Sequence, residues 1–152
     1  MGTRFDCTSR ARRAWCLAVV GLGLLATSGQ TRAEGALAFS QMKDIAKSGL
    51  AIGLSSNYGD KEEARKRALD ECHGFANAPK ATRDTCAVIL SFRDQCVAIS
   101  LDPKDGTPGF GWAVADKTEA AQSEALSRCV ATAGKTRQKF CQNSLVRCDA
   151  KK

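Results

Sequence analysis

His73 is the only histidine of the chain, and it directly follows Cys72. A cysteine beside a histidine invites nucleophilic chemistry, in which the imidazole takes the proton of an attacking thiol. Neighbours on a helix point about 100° apart, so adjacency in sequence does not make a catalytic pair. A polar or cationic side chain near a helix C-terminus is also favourable for dipole reasons alone. Zinc sites ask for short C-x₂₋₄-C spacings, whereas the gaps between consecutive cysteines from Cys72 to Cys148 are 13, 9, 32, 11 and 6 residues. The C-x-x-C pair of thiol oxidoreductases is missing. Carboxylates that could work as an acid/base pair are Asp60, Glu62, Glu63, Asp70, Glu71, Asp116 and Glu119, yet capping and solvation of helices account for all of them. No phosphate loop, nucleophile elbow or H-E-x-x-H stretch occurs. The residues form no catalytic constellation, and no cofactor or metal is expected.

Charge offers one directional feature. Lys80 and Arg83 lie in one polar loop, and Lys135, Arg137 and Lys139 in another. Together they are a candidate patch for an anionic surface such as an envelope glycan, a lipid headgroup or an acidic protein; solvated loop charge is the plainer reading. Phe110 and Trp112 could form a binding platform, or belong to the core.

The N-terminus has the layout of a secretory leader. Arg4, Arg10, Arg12 and Arg13 form a basic region, Leu17 to Leu25 a continuous apolar run, and Thr31-Arg32-Ala33 offers small residues for cleavage. The run is about half the ~18 residues a membrane-crossing helix needs, which argues against an anchor. Arg12-Arg13 resembles a twin-arginine signal, but the flanking residues suit general secretion better. The apolar run follows Cys16 instead of preceding it, which excludes a lipoprotein. Removal of residues 1–33 leaves 119 of the 152 and takes away five arginines and one acid, lowering the net charge from +7 to +3. That balance makes no case for nucleic acid. Eight cysteines become six, and an even count in an exported chain reads as a disulfide framework.

The remainder is a duplication. The first copy runs Ala36 to Ser40 (ALAFS), Gly49 to Ser56 (GLAIGLSS), a helical stretch ending Ala68-Leu69-Asp70-Glu71-Cys72, and Cys86 to Phe92 (CAVILSF). The second runs Cys96 to Leu101 (CVAISL), Gly109 to Ala115 (GFGWAVA), a helical stretch ending Ala125-Leu126-Ser127-Arg128-Cys129, and a strand near Cys141 to Cys148. Each reads as β-β-α-β. From Gly53 to Cys72 is 19 positions and from Gly111 to Cys129 is 18, so one residue is lost between strand and helix. Asp60 with Glu63, and Asp116 with Glu119, suit the capping box. Ala64, Ala68 and Cys72 share one helical face, as do Ala121, Ala125 and Cys129, a small-residue stripe that permits close approach to a sheet. Gly74 and Gly134 suit a left-handed helix stop.

The cysteines repeat with these elements. Six allow 15 pairings; the duplication favours Cys72–Cys86 and Cys129–Cys141, which leaves Cys96 with Cys148. Closing a loop of about 15 residues contributes roughly 3 kcal/mol in the chain-entropy model. A 119-residue chain with seven aromatics has a modest core that such staples reinforce.

This paired pattern, with its Gly-led strands, A-L-x-x-C helix ends and C-x-V strand, resembles domain-of-unknown-function family 4189, small exported bacterial proteins. The likeness covers about residues 36 to 148. Members usually carry G-W or G-Y in both Gly strands; Gly111-Trp112 keeps this, whereas Gly53-Leu54 departs from it. The resemblance implies export and a duplicated α+β unit, and no activity.

The expected fold is therefore α+β, two tandem repeats (about 36–92 and 96–148) in one stapled domain spanning 34–152. The expected function is a non-enzymatic binding or interaction module, periplasmic or secreted, with an unknown protein or envelope component as partner. The alternatives are a small exported hydrolase or thiol enzyme and an inhibitor of a secreted or envelope enzyme.

Overall fold

A computed structural model describes residues 33–149. The expected leader, apart from Ala33, and the last three residues lie outside the described residues. In the first repeat, β1 (Glu34–Ser40), β2 (Ile52–Tyr58) and β3 (Cys86–Phe92) form an antiparallel sheet in the order β2-β1-β3. In the second, β4 (Cys96–Leu101), β5 (Phe110–Ala115) and β6 (Gln142–Cys148) form another, in the order β5-β4-β6. Each repeat thus places its first strand centrally, and the two topologies are the same. A short helical turn, α1 (Ile45–Ser48), links β1 to β2. The long helices are α2 (Lys61–His73) and α4 (Thr118–Thr132). The polar loops also carry local structure: a single turn, α3 (Lys80–Arg83), and a 3-10 turn at Gln138–Phe140.

Side-chain size along the central strands sets the layers. Alternate strand residues face opposite sides. In β1, Ala36 and Ala38 pack with Ala64, Ala68 and Cys72 of α2, while Leu37 packs toward the second sheet. In β4, Cys96 and Ala98 pack with Ala121 and Ala125 of α4, while Val97 and Ile99 meet Leu37, Leu54 and Phe92. Small residues point at the helices and large ones at the opposite sheet. The result is four layers, helix–sheet–sheet–helix, with the apolar core between the sheets. Two glycines complete the close helix contact. A Cβ on Gly53 would lie 1.9 Å from the Ala68 carbonyl oxygen, and one on Gly111 would lie 2.3 Å from that of Ala125.

Three disulfides, Cys72–Cys86, Cys96–Cys148 and Cys129–Cys141, staple this frame. Two of them tie the end of a long helix to the start of the strand that crosses it, once per repeat. The third has an ionic counterpart. Ala38 faces Gly53 and Ser100 faces Gly111, so Glu34 and Cys96 occupy matching places. Cys96 is bonded to Cys148, whereas Glu34 is ion-paired with Arg93. The same strand-end position is closed by a covalent bond in one repeat and by a charge pair in the other.

Two details of the helix ends differ from the sequence expectation. Asp60 caps α2 by accepting the Glu63 N–H at 3.1 Å. The cap of α4 is Lys117, which makes no side-chain bond, and Asp116 accepts from Gln95 instead. Asp60 stands 12 positions before Cys72 and Asp116 stands 13 before Cys129, so the second aspartate falls one place outside the cap. Gly134 is left-handed, with φ 73°. Gly74 is right-handed, with φ −82°, because the chain continues into a further turn with the Gly74 N–H bonded to Asp70 and Cys72 carbonyls.

Candidate functional site

Helix side chains cover the outer edge of two strands. Glu71 accepts the Leu54 N–H of β2 at 3.2 Å and is itself held by Arg67 at 3.0 Å. At the matching place in the second repeat, Arg128 donates to the Trp112 carbonyl of β5 at 2.7 Å and pairs with Glu124. The two ion pairs have opposite polarity and the same effect, since each occupies a backbone group that would otherwise be an open edge. No side-chain hydrogen bond covers the outer edge of β6 among the described residues. Its segment Gln142 to Leu145 is exposed.

Beside β6 the inter-sheet layer is open. A cleft of about 590 Å³ lies between β2, α2 and β6, with Leu54, Ile99 and Leu145 among its apolar lining and Asp70 on its rim. A second cleft of about 310 Å³ adjoins it, sharing Ile52, Phe75, Leu101 and Ser144 and bounded by the loop from Asp102 to Gly109. Together they form one groove that meets β6 at Ser144 and Leu145. Asp70 makes no ion pair among the described residues, whereas Arg67 is neutralised by Glu71.

The opening lies where aliphatic side chains replace aromatic ones of the other repeat, with Ile52 and Leu101, which line both clefts, standing where that repeat has Phe110 and Phe39. Leu54 stands where the second repeat has Trp112. There the indole lies 6.2 Å from the Phe39 ring, beneath the Arg128 guanidinium, and, like Leu90, packs against the inter-sheet core. Registers Leu37↔Leu90 and Ile99↔Leu145 make Leu90 and Leu145 counterparts. Leu90 is half-buried, while Leu145, opposite the shorter Leu54, is 36% exposed. Phe110 packs edge-on against Phe39 at 5.6 Å. Phe110 and Trp112 thus pack against the core, away from the groove.

The residues singled out by type fare differently. Cys72 is buried in its disulfide, so the Cys72-His73 pair has no thiolate to offer. The His73 ring Nδ1 lies 2.8 Å from the Arg83 carbonyl oxygen. Of the candidate anionic patch, Lys80 pairs with Asp84 at 2.7 Å, and Arg83 donates to the His73 carbonyl at 3.1 Å. Lys80 holds the Asp84 carboxyl below its ordinary value. Arg137 grips Asp102 through two N–H groups, at 2.6 and 2.7 Å, and lies over the Phe140 ring. That grip holds the Asp102 carboxyl below its ordinary range and raises the guanidinium. Lys135 and Lys139 have no carboxylate partner among the described residues; the Lys139 ammonium sits 5.2 Å from the Phe140 ring. Among the described residues, no hydrogen bond or ion pair links the loop of Lys80 and Arg83 to that of Lys135, Arg137 and Lys139. The groove went unnoticed in the sequence, although Leu54 in a Gly-aromatic position was its visible trace.

Among the described residues no His, Cys, Asp or Glu group could hold a metal ion, and no helix is long and apolar enough to cross a membrane. Three disulfides are bonds of an oxidising compartment, outside the cytosol. No curated protein and no solved structure matches the chain. The model of one family, described as a domain of unknown function, matches residues 35–148, and with its strands, glycines and disulfides accounted for, the chain belongs to that family, DUF4189.

Proposed function

We propose that the protein is an exported, non-enzymatic binding module of the periplasm or cell exterior, and that its ligand is an extended polypeptide segment of a partner protein. The observation that carries this is the groove running beside the uncovered edge of β6. An edge strand offers a row of free N–H and C=O groups to an added strand, and a flanking apolar pocket selects alternate side chains. The groove is two adjoining clefts that share Ile52, Phe75, Leu101 and Ser144, which suits successive side chains of a strand better than one compact molecule. Besides Asp70, the groove is lined by Asp105 and Lys104, none of them in an ion pair among the described residues, so its balance is acidic and the matching segment has apolar residues and a basic one. The basic loops favour this reading indirectly. Lys80, Arg83 and Arg137 are engaged within the fold, leaving less charge for an anionic surface.

A test follows from the difference between the repeats. Peptides selected from a displayed library on the exported protein are titrated against the unaltered chain and against Leu54→Trp. The substitution restores the aromatic found in the second repeat and closes the cleft. The expected result is folded protein with binding weakened at least tenfold. Undiminished affinity in Leu54→Trp would place the ligand elsewhere. Turnover of an ester, peptide or glycan substrate, lost on a single substitution, would replace the binding reading with the hydrolase one.

A further inference from the structure

Asp149, just after β6, is a buried carboxylate with only part of its bonding met. It is 4% exposed; Oδ1 accepts the Asn57 N–H at 2.8 Å, and Oδ2 is buried with no partner. Its own N–H donates to the Gln95 carbonyl at 2.9 Å. The charged groups around it are mainly of its own sign. Glu34 and Asp94 act on it, and Arg93, the cation at this end, is engaged by Glu34 through two N–H groups. Burial and the two acids raise its pKa, against the N–H groups of Asn57 and Asp94. A buried carboxylate with an unmet oxygen disfavours folding, and a nearby donor with positive charge would remove that penalty.

The register shows where such a donor can come from. Glu34, the first residue of β1, faces Tyr58, and the neighbouring Asn57 holds Asp149. While Ala33 precedes it, the Glu34 nitrogen is a neutral amide with one proton. A leader peptidase would add one water: the Ala33–Glu34 C–N bond breaks, the hydroxyl joins the Ala33 carbonyl, and the nitrogen takes the proton plus another from solvent. The product is an ammonium with three donors and a positive charge beside three acids.

We infer that the α-ammonium of Glu34, formed on removal of residues 1–33, pairs with Asp149 and locks the first strand of repeat one to the last strand of repeat two. The trigger rests on the leader reading; the socket rests on Asp149. An amine that gains a partner titrates above its free value of about 8. Its stabilisation is complete below that free value and is lost as pH rises through the folded one.

The experiment uses exported chains beginning at Glu34 or, through a shifted cleavage site, at Arg32, each with Asp149 intact or as Asp149→Asn. Thermal midpoints are read from pH 5 to 10, and the native N-terminus is sequenced. In the Glu34 chain, Asp149→Asn lowers the midpoint at pH 7 and abolishes an alkaline loss of stability. In the Arg32 chain the same substitution raises the midpoint, because a lone buried charge becomes a neutral amide. The same sign in both chains overturns the lock. A native chain starting elsewhere overturns the leader reading and so the trigger, whatever the midpoints. If Asp149→Asn does not fold, NMR titration of the Glu34 ammonium decides: a midpoint above about 8 supports the pairing, and an unshifted one refutes it.

Discussion

Replacing Gly53 or Gly111 by alanine tests whether the helices truly rest on the sheet backbones. A Cβ on Gly53 meets the Ala68 carbonyl oxygen at 1.9 Å and the Cys72 nitrogen at 2.5 Å; on Gly111 it meets Ala125 oxygen at 2.3 Å and Cys129 nitrogen at 2.4 Å. These are backbone atoms of a helix, so no rotamer change relieves the overlap. Reaching an ordinary contact near 3.4 Å asks α2 to retreat about 1.5 Å and α4 about 1.1 Å. Each helix is also tethered at its end by a disulfide to the following strand, which resists the shift. Overpacking of this kind costs about 1–3 kcal/mol. Lower entropy of the unfolded alanine chain returns about 0.5–1 kcal/mol of that. The net expectation is a loss of about 2 kcal/mol for Gly53→Ala and somewhat less for Gly111→Ala. Gly59→Ala is the control, since nothing lies within 4 Å of its added carbon; it should stay within about 0.5 kcal/mol. Urea unfolding of the oxidised protein, with unchanged m-values, measures all three. Gly53→Ala as stable as Gly59→Ala would refute the packing argument.

Other consequences can be checked with simpler assays. Removing Cys96–Cys148 by a double serine substitution opens a 52-residue separation and should cost about 4 kcal/mol, against about 3 kcal/mol for Cys129–Cys141 with a separation of 12; equal losses would show that chain entropy is not the main source. The double variant Glu34→Cys, Arg93→Cys should form a fourth disulfide in the place matching Cys96–Cys148, seen by intact mass before and after reduction; persistent free thiols would contradict the equivalence. Asp102, whose carboxyl Arg137 holds below its ordinary value, supports folding above that value and loses its contribution as pH falls through the lowered one. Asp102→Asn should therefore be less stable than the unaltered chain at pH 7, with the difference shrinking below about pH 4; a constant difference would rule out charge as the cause.

Much of the fold was legible because each repeat element carries its own physical signature. Alanines and a cysteine four residues apart mark the buried helix face, and the glycines mark where that face needs room. The topology was not legible. Nothing in ALAFS or CVAISL says that these strands lie at the centre of their sheets, because pairing depends on long-range contacts. The face-to-face packing of the sheets was hidden for the same reason, though the alternation of small and large residues in β1 and β4 encodes it once the layers are known. Asp116 misled because a cap requires one particular offset, and that aspartate lies one residue farther from its helix-end cysteine than Asp60 does. Basic residues suggested a patch, but sequence does not show that Asp84 and Asp102 take up Lys80 and Arg137. The groove arises where an expected aromatic is absent, and a missing side chain leaves a weaker trace than a present one.

The central claim is that the uncovered edge of β6 receives an added strand. Amide hydrogen exchange of the oxidised protein, with and without a selected peptide at saturating concentration, tests it directly. The account predicts new protection at those β6 N–H groups that are not bonded to β4, together with slowed exchange around Leu54, and little change at β3 or β5. Protection confined to the basic loops, or to the outer helix faces, would contradict it.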